Sequence, residues 1–212
     1  MDSTGDLKPM MTLRYSPTSP FVRKVTVLTH ETGLHGRIER VATFPWDAKT
    51  DLPKDNPLGK IPALLTPDGA LYDSPVICEY LDSLHAGAKL FPPAGPARWT
   101  ALRRQALADG MLDAGVQHLL ESRKPAAQQL NSWTERQHGV VRRGFDALER
   151  EAASFGGTVD IGTITIGCAI GWLEFRNILG QDWRAGRPAL ARWYEGFAKR
   201  PSMLQTVPKD PA

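Results

Sequence analysis

The spacing of apolar positions changes partway along the chain. Met11–Tyr15 is a short apolar run ended by Ser16-Pro17, which predicts a strand. Phe21, Val25 and Leu28 then share one face, and Gly33 can terminate the element. That predicts a helix over Phe21–Thr32. Ile38 and Val41 alternate among charges, so Arg37–Thr43 reads as a strand. Phe44–Asn56 is polar, carries Pro45 and Pro53, and reads as a loop with room for one helical turn. Ile61–Thr66 and Ala70–Tyr72 read as short strands around the turn Pro67-Asp68-Gly69. Ser74–Leu84 reads as a helix with Ser74 as N-cap and Pro75 in the first turn. The order is β-α-β-loop-β-β-α.

Residues 86–97 (AGAKLFPPAGPA) read as a linker, and beyond them the strand signals stop. Arg98–Ser122, Ala126–Ala153, Ile161–Leu179 and Pro188–Lys199 carry helical spacing and predict a bundle. The expected organisation is a loose tail over 1–10, an α/β domain over 11–85, a linker over 86–97 and an all-α domain over 98–212. No repeat stands out.

Composition narrows the function classes. The uncharged apolar stretch Ile161–Leu173 has 13 residues, and a bilayer needs about 20. No membrane association is therefore expected. Cys78 and Cys168 stand far apart, with no CxxC and no ligand-spaced histidines. They read as core filling, and no metal site is expected. Residues 1–10 carry Asp2, Asp6 and Lys8 and show no signal-peptide pattern, which suggests the reducing cytoplasm. The net charge of +3 is uneven: residues 1–85 sum to −2 and residues 86–212 to +5. The excess is mostly arginine on helical pattern. It reads as helix surface with some attraction for small anions, not as a nucleic-acid footprint.

Three segments could carry chemistry. Tyr15-Ser16-Pro17-Thr18-Ser19-Pro20-Phe21 leads from the first strand into the first helix. A helix start has unpaired N–H groups and partial positive charge, so it stabilises an anion, and a hydroxyl there can donate to it. Plain capping explains the same residues. In Asn56-Pro57-Leu58-Gly59-Lys60-Ile61-Pro62, a cis Ile61–Pro62 bond would expose the backbone N–H and C=O of Ile61 to a ligand. An ordinary turn into an edge strand is the alternative. At Asp73-Ser74, the hydroxyl and the free N–H groups can hold a carboxylate while Asp73 holds an ammonium. An N-cap would look the same.

Taken in order, these segments resemble the cytosolic glutathione S-transferase family, a resemblance that runs from about Met11 to Pro201. SPTSPFVRKV is similar to the family's active-site loop and first helix. NPLGKIP resembles the loop that carries its cis-proline, and LYDSPVICEYL its acidic-Ser pair and following helix. The resemblance implies an N-terminal thioredoxin-like domain and a C-terminal helical domain. It implies Ser19 as the catalytic hydroxyl, with Ser16 as a second candidate. Ile61 would pair with the cysteinyl part of glutathione, beside Pro62. Lys60 would attract the glycyl carboxylate, and Asp73 and Ser74 would hold the γ-glutamyl end. Phe21, next to Ser19, would contact glutathione, and Phe21 and Val22 would border the acceptor substrate. An acidic residue of the next helix, Asp113 or else Asp109, would reach glutathione across a homodimer interface.

The implied chemistry is thiol activation. A free thiol titrates near about 8.5, so little is thiolate at neutral pH. A hydroxyl donor plus a helix start favours the thiolate, which attacks a small, electrophilic, largely apolar substrate. Glutathione is then a co-substrate, and no prosthetic group is implied. Ser19, unlike a Cys, cannot form a mixed disulfide with glutathione, which favours conjugation over thiol-disulfide exchange. A non-catalytic, protein-binding regulator and a glutathione-dependent isomerase or dehalogenase remain alternatives. Asp160 reads as a structural cap, with Thr163 three residues on. Met111, Trp172 and Phe175 could line an acceptor pocket, but apolar residues at helical spacing read as core.

Overall fold

The computed structural model describes residues 11–210; the tail expected over 1–10 lies outside the described residues. The chain divides into two compact units between Lys89 and Leu90, inside the segment read as a linker.

The first unit holds β1 (Met11–Tyr15), α1 (Pro20–Glu31), β2 (Ile38–Ala42), β3 (Ala63–Thr66), β4 (Gly69–Leu71) and α2 (Ser74–Ser83). A single 3-10 turn, Leu52–Lys54, interrupts the long loop, as its polar pattern suggested. The sheet order is β2-β1-β3-β4. β1 and β2 are parallel, so α1 serves as the crossover that parallel strands require. β3 runs antiparallel to β1, with Arg14 opposite Ala63, and β4 runs antiparallel to β3, with Leu64 opposite Leu71. Leu13, Leu64, Val25, Leu28, Ile77 and Leu81 are fully buried and form the core of this unit.

The ladder of β3 starts two residues later than the sequence suggests. Pro62 has no N–H to give, so pairing begins at Ala63. The antiparallel register has a direct consequence. Where β1 ends, β3 begins and β4 ends, so residues 16–19, 61–62 and 72–74 all gather at one end of the sheet. Thr43, just past β2, joins that end through its N–H to Tyr15 O at 2.8 Å.

The second unit holds α3 (Gly95–Ser122), α4 (Asn131–Glu151), α5 (Ile161–Phe175), α6 (Pro188–Phe197) and a short α7 (Pro201–Leu204). α3 starts three residues earlier than expected, because Pro96 suits the first turn of a helix. α4 starts later than Ala126. Gln129 and Leu130 are extended, and Leu130 N–H turns back to Glu121 Oε1 at 2.8 Å. α5 stops at Phe175, short of Leu179. Asn177 adopts φ 47°, and Ile178 N–H bonds back to Leu173 O at 3.1 Å, the six-to-one closure of a helix end. α6 stops at Phe197, and the separate turn at Pro201 was not expected from the sequence.

α5 is the buried centre of this unit, as its apolar run demands. No helix among the described residues is long and apolar enough to cross a membrane. Its start is a reciprocal cap: Thr163 N–H donates to Asp160 Oδ1 at 2.8 Å, and Asp160 N–H donates to Thr163 Oγ1 at 2.9 Å. The structural reading of Asp160 holds. Glu149 of α4 plays a similar part for α6, accepting from Ala189 N at 3.1 Å and Leu190 N at 2.7 Å. Met111 and Trp172 are core, and both cysteines are buried free thiols, in line with the sequence reading.

α5 approaches α3 closely at Gly162. A Cβ there would sit 2.7 Å from Ala101 O and 2.8 Å from Arg104 Cβ. Alanine gains up to about 1 kcal/mol in helix propensity over glycine. The contact with a backbone oxygen needs a helix shift, which costs about 1–3 kcal/mol. Gly162→Ala is therefore expected to lower the urea midpoint of unfolding; a raised midpoint would contradict the packing account.

Arg103 grips Glu151 through two hydrogen bonds of 2.6 and 2.8 Å, and Arg104 Nε adds a third at 3.2 Å. The bond from Arg103 does most to hold the Glu151 carboxyl below its ordinary 4.5. Burial opposes it, and Arg104 adds to it. A depressed folded value means the stabilisation is full above about 4.5 and is lost as pH falls through the folded value. Glu151→Gln is expected to lose stability at neutral pH and to show a shallower acid decline in thermal unfolding. Parallel declines in variant and parent would contradict this.

Candidate functional site

The three segments at the open end of the sheet are each built by local rules. After β1, Ser19 N–H bonds to Ser16 O at 3.3 Å, closing a turn that aims the chain into α1. Ser19 is extended (φ −82°, ψ 122°) and caps α1, its Oγ accepting from Val22 N–H at 3.3 Å. A hydroxyl that accepts here keeps its proton for another acceptor. Ser16 is engaged elsewhere: its Oγ lies 3.0 Å from Thr18 Oγ1 and accepts from Thr18 N–H at 3.4 Å. Phe21 is half-buried. Val22 corrects the expectation of an acceptor-pocket residue: its side chain is 0% exposed and belongs to the core. Its contribution at the helix start is the backbone N–H that Ser19 receives.

The second segment is a folded loop. Asn56 is 1% exposed. Its Nδ2 donates to Lys60 O at 2.7 Å, and its Oδ1 accepts from Leu58 N–H at 3.0 Å. Gly59 has φ 62°, a left-handed conformation that glycine adopts at no steric cost. The Ile61–Pro62 bond is cis. Pro62 is buried, Ile61 half-buried and Lys60 exposed. Arg14 of β1 holds the start of the loop, with Nε to Asp55 Oδ2 at 2.6 Å and Nη2 to Asp51 Oδ1 at 3.1 Å. The hydrogen bond from Arg14 is the main reason that the Asp51 carboxyl sits below its ordinary value.

At the third segment the cap differs from the expectation. Asp73, not Ser74, is the N-cap of α2. Asp73 is the extended residue (φ −91°, ψ −162°), and its carbonyl accepts Ile77 N–H at 3.0 Å. Ser74 is already helical, one residue before Pro75. The Asp73 carboxylate makes no cap bond and is exposed, whereas Ser74 is 2% exposed. Asp73 is thus the outward-facing member of the pair.

The result is a concentration of complementary groups. Two helix starts, α1 and α2, present partial positive charge and N–H groups at the same end of the sheet. Lys60 adds a full positive charge beside them. The Asp73 carboxylate offers an acceptor for an ammonium, while Asp51 and Asp55 are paired with Arg14. Such a set suits a small zwitterionic molecule that carries carboxylates, an amine and one further anion-forming group. Among the described residues no group of three or more His, Cys, Asp or Glu could hold a metal ion.

Asp109 and Asp113 lie on α3 in the second unit, Asp109 half-buried and Asp113 exposed. The Arg14 grip and the buried amide of Asn56 were missed in the sequence. The one available signal was Asn directly before Pro at a turn, where an Asn side chain commonly bonds its own backbone two residues on.

Comparison with known proteins agrees with the geometry. The family model for the glutathione S-transferase N-terminal domain matches residues 18–84, which include Thr18–Phe21 of the first segment and the whole of the other two. The model for the glutathione S-transferase C-terminal domain matches residues 131–196. The uncharacterized GST-like protein YibF of Escherichia coli K12 is 36% identical over 203 residues, covering 93% of this chain and 98% of its own. A glutathione transferase family member from Pseudomonas fluorescens Pf-5, solved with bound glutathione, is 43% identical with a TM-score of 0.89 and covers 94% of this chain and 100% of its own. A glutathione S-transferase from Methylobacillus flagellatus KT with glutathione bound is 37% identical at a TM-score of 0.87, with the same coverage. With both units matched and relatives alike over nearly the full length, the chain belongs to the glutathione S-transferase family.

Proposed function

We propose that the protein binds glutathione at the open end of its first unit and activates the thiol for attack on a small, electrophilic, largely apolar substrate. The observation that carries this reading is Ser19. It caps α1 by accepting a hydrogen bond, and so has a proton to give to a sulfur anion at the helix start. The hydroxyl and the helix start both favour thiolate over thiol. Bound glutathione in two close relatives supports the same ligand here. In this reading Ile61 pairs its backbone with the cysteinyl part, Lys60 faces the glycyl carboxylate, Asp73 and the α2 start take the γ-glutamyl end, and Phe21 borders the acceptor.

The test is Ser19→Ala with glutathione and an activated aryl halide. Removing one donor to a developing anion costs about a hundredfold in rate. The variant is expected to lose about that in kcat/KM, and its pH profile should rise toward the free-thiol value near about 8.5. Unchanged turnover would remove Ser19 from the role.

The same reading makes the protein a cytoplasmic homodimer, with Asp113 or Asp109 of one copy reaching glutathione in the other. The exposed Phe44 and Trp46 of the first unit, 63% and 64% exposed, support an apolar contact of this kind. Sedimentation is expected to show a two-chain species at micromolar protein. A monomer would contradict this part of the proposal.

A further inference from the structure

Ile61 is presented by a loop whose geometry is set from β1. Arg14 grips Asp55 with Nε at 2.6 Å and Nη2 at 2.5 Å from the same Oδ2, and both side chains are 16% exposed. Charge-assisted pairing of this kind, partly shielded from water, is stronger than a surface pair. The next residue, Asn56, is almost fully buried and donates to Lys60 O at 2.7 Å. Gly59 N–H closes the loop on Asn56 O at 2.8 Å.

Lys60 C=O and Ile61 N–H belong to one planar peptide group. In a trans peptide they point in opposite directions. Holding Lys60 O against Asn56 therefore aims Ile61 N–H away from the loop interior. Arg14 also stands opposite Ala63 in the ladder, so the chain of contacts runs from β1 through Asp55 and Asn56 and returns to the sheet just past Ile61.

Resting on the reading that Ile61 receives the cysteinyl backbone of glutathione, we propose that Arg14, Asp55 and Asn56 are positioning residues that set the affinity for glutathione by orienting the Lys60–Ile61 peptide. None of them acts on the thiol. Affinity and thiol activation should therefore separate on mutation.

The test uses the full chain and S-methylglutathione, which has no thiol proton, by isothermal titration. Asn56→Asp keeps the acceptor for Leu58 N–H and loses the donor to Lys60 O. Its Kd is expected to rise about tenfold, equivalent to about 1.4 kcal/mol. The pH midpoint of turnover with glutathione should stay at the parent's value. Asp55→Asn is the second variant, expected to weaken binding in the same way if Asn56→Asp does not fold, and Asp55→Glu should recover part of the loss. A parent that binds and variants that bind equally well would overturn the positioning role alone. A moved pH midpoint at unchanged Kd would overturn it too. A parent that does not bind would overturn the glutathione reading and this inference with it.

Discussion

The point at which the β1–β3 ladder stops governs everything at the open end of the sheet. Arg14 pairs with Ala63, and the next residue back, Pro62, has no donor to extend the pairing. Ile61 is thereby released from the sheet exactly where β1 hands over to the loop leading to Ser19. β4, antiparallel to β3, delivers Asp73 to the same end. Strand direction brings two helix starts, one freed backbone segment and one exposed carboxylate to the same end, and the Arg14–Asp55 pair then holds the loop that carries the freed segment.

The second unit solves a different problem. Its central helix is almost wholly apolar and must be covered on all sides. Covering it depends on small residues where helices touch. At Gly115 an added Cβ would lie 2.7 Å from Leu173 and 2.9 Å from Trp172; at Gly167 it would lie 2.7 Å from Phe197. Arginine, abundant in this unit, is used in place: on Glu151, on Asp146 and over aromatic rings such as Phe155. The uneven charge of the chain thus has a structural use as helix-to-helix pairing, in line with its reading as helix surface.

Much of this was legible in the sequence because local rules decide it. The six strands and helices of the first unit follow from periodicity and from Gly and Pro punctuation. The positions of Ser19 and Asp160 as caps follow from residue type beside a helical run. What was not legible depends on contacts between distant residues or on which of two neighbours caps. Arg14 and Asp55 are 41 positions apart, and nothing in either residue announces the other. Asp73 and Ser74 are both good caps, and the extended backbone at Asp73 settles the choice. Val22 was read from adjacency to Ser19. In a helix a residue three positions past the cap need not share its exposure, and here it turns inward.

The most direct measurement of the central claim is a crystal structure of the protein with glutathione bound. The account predicts the sulfur within hydrogen-bond distance of Ser19 Oγ, about 3 Å or slightly more, with the cysteinyl backbone paired to Ile61. Sulfur lodged against Ser16, or glutathione bound away from the open end of the sheet, would contradict it.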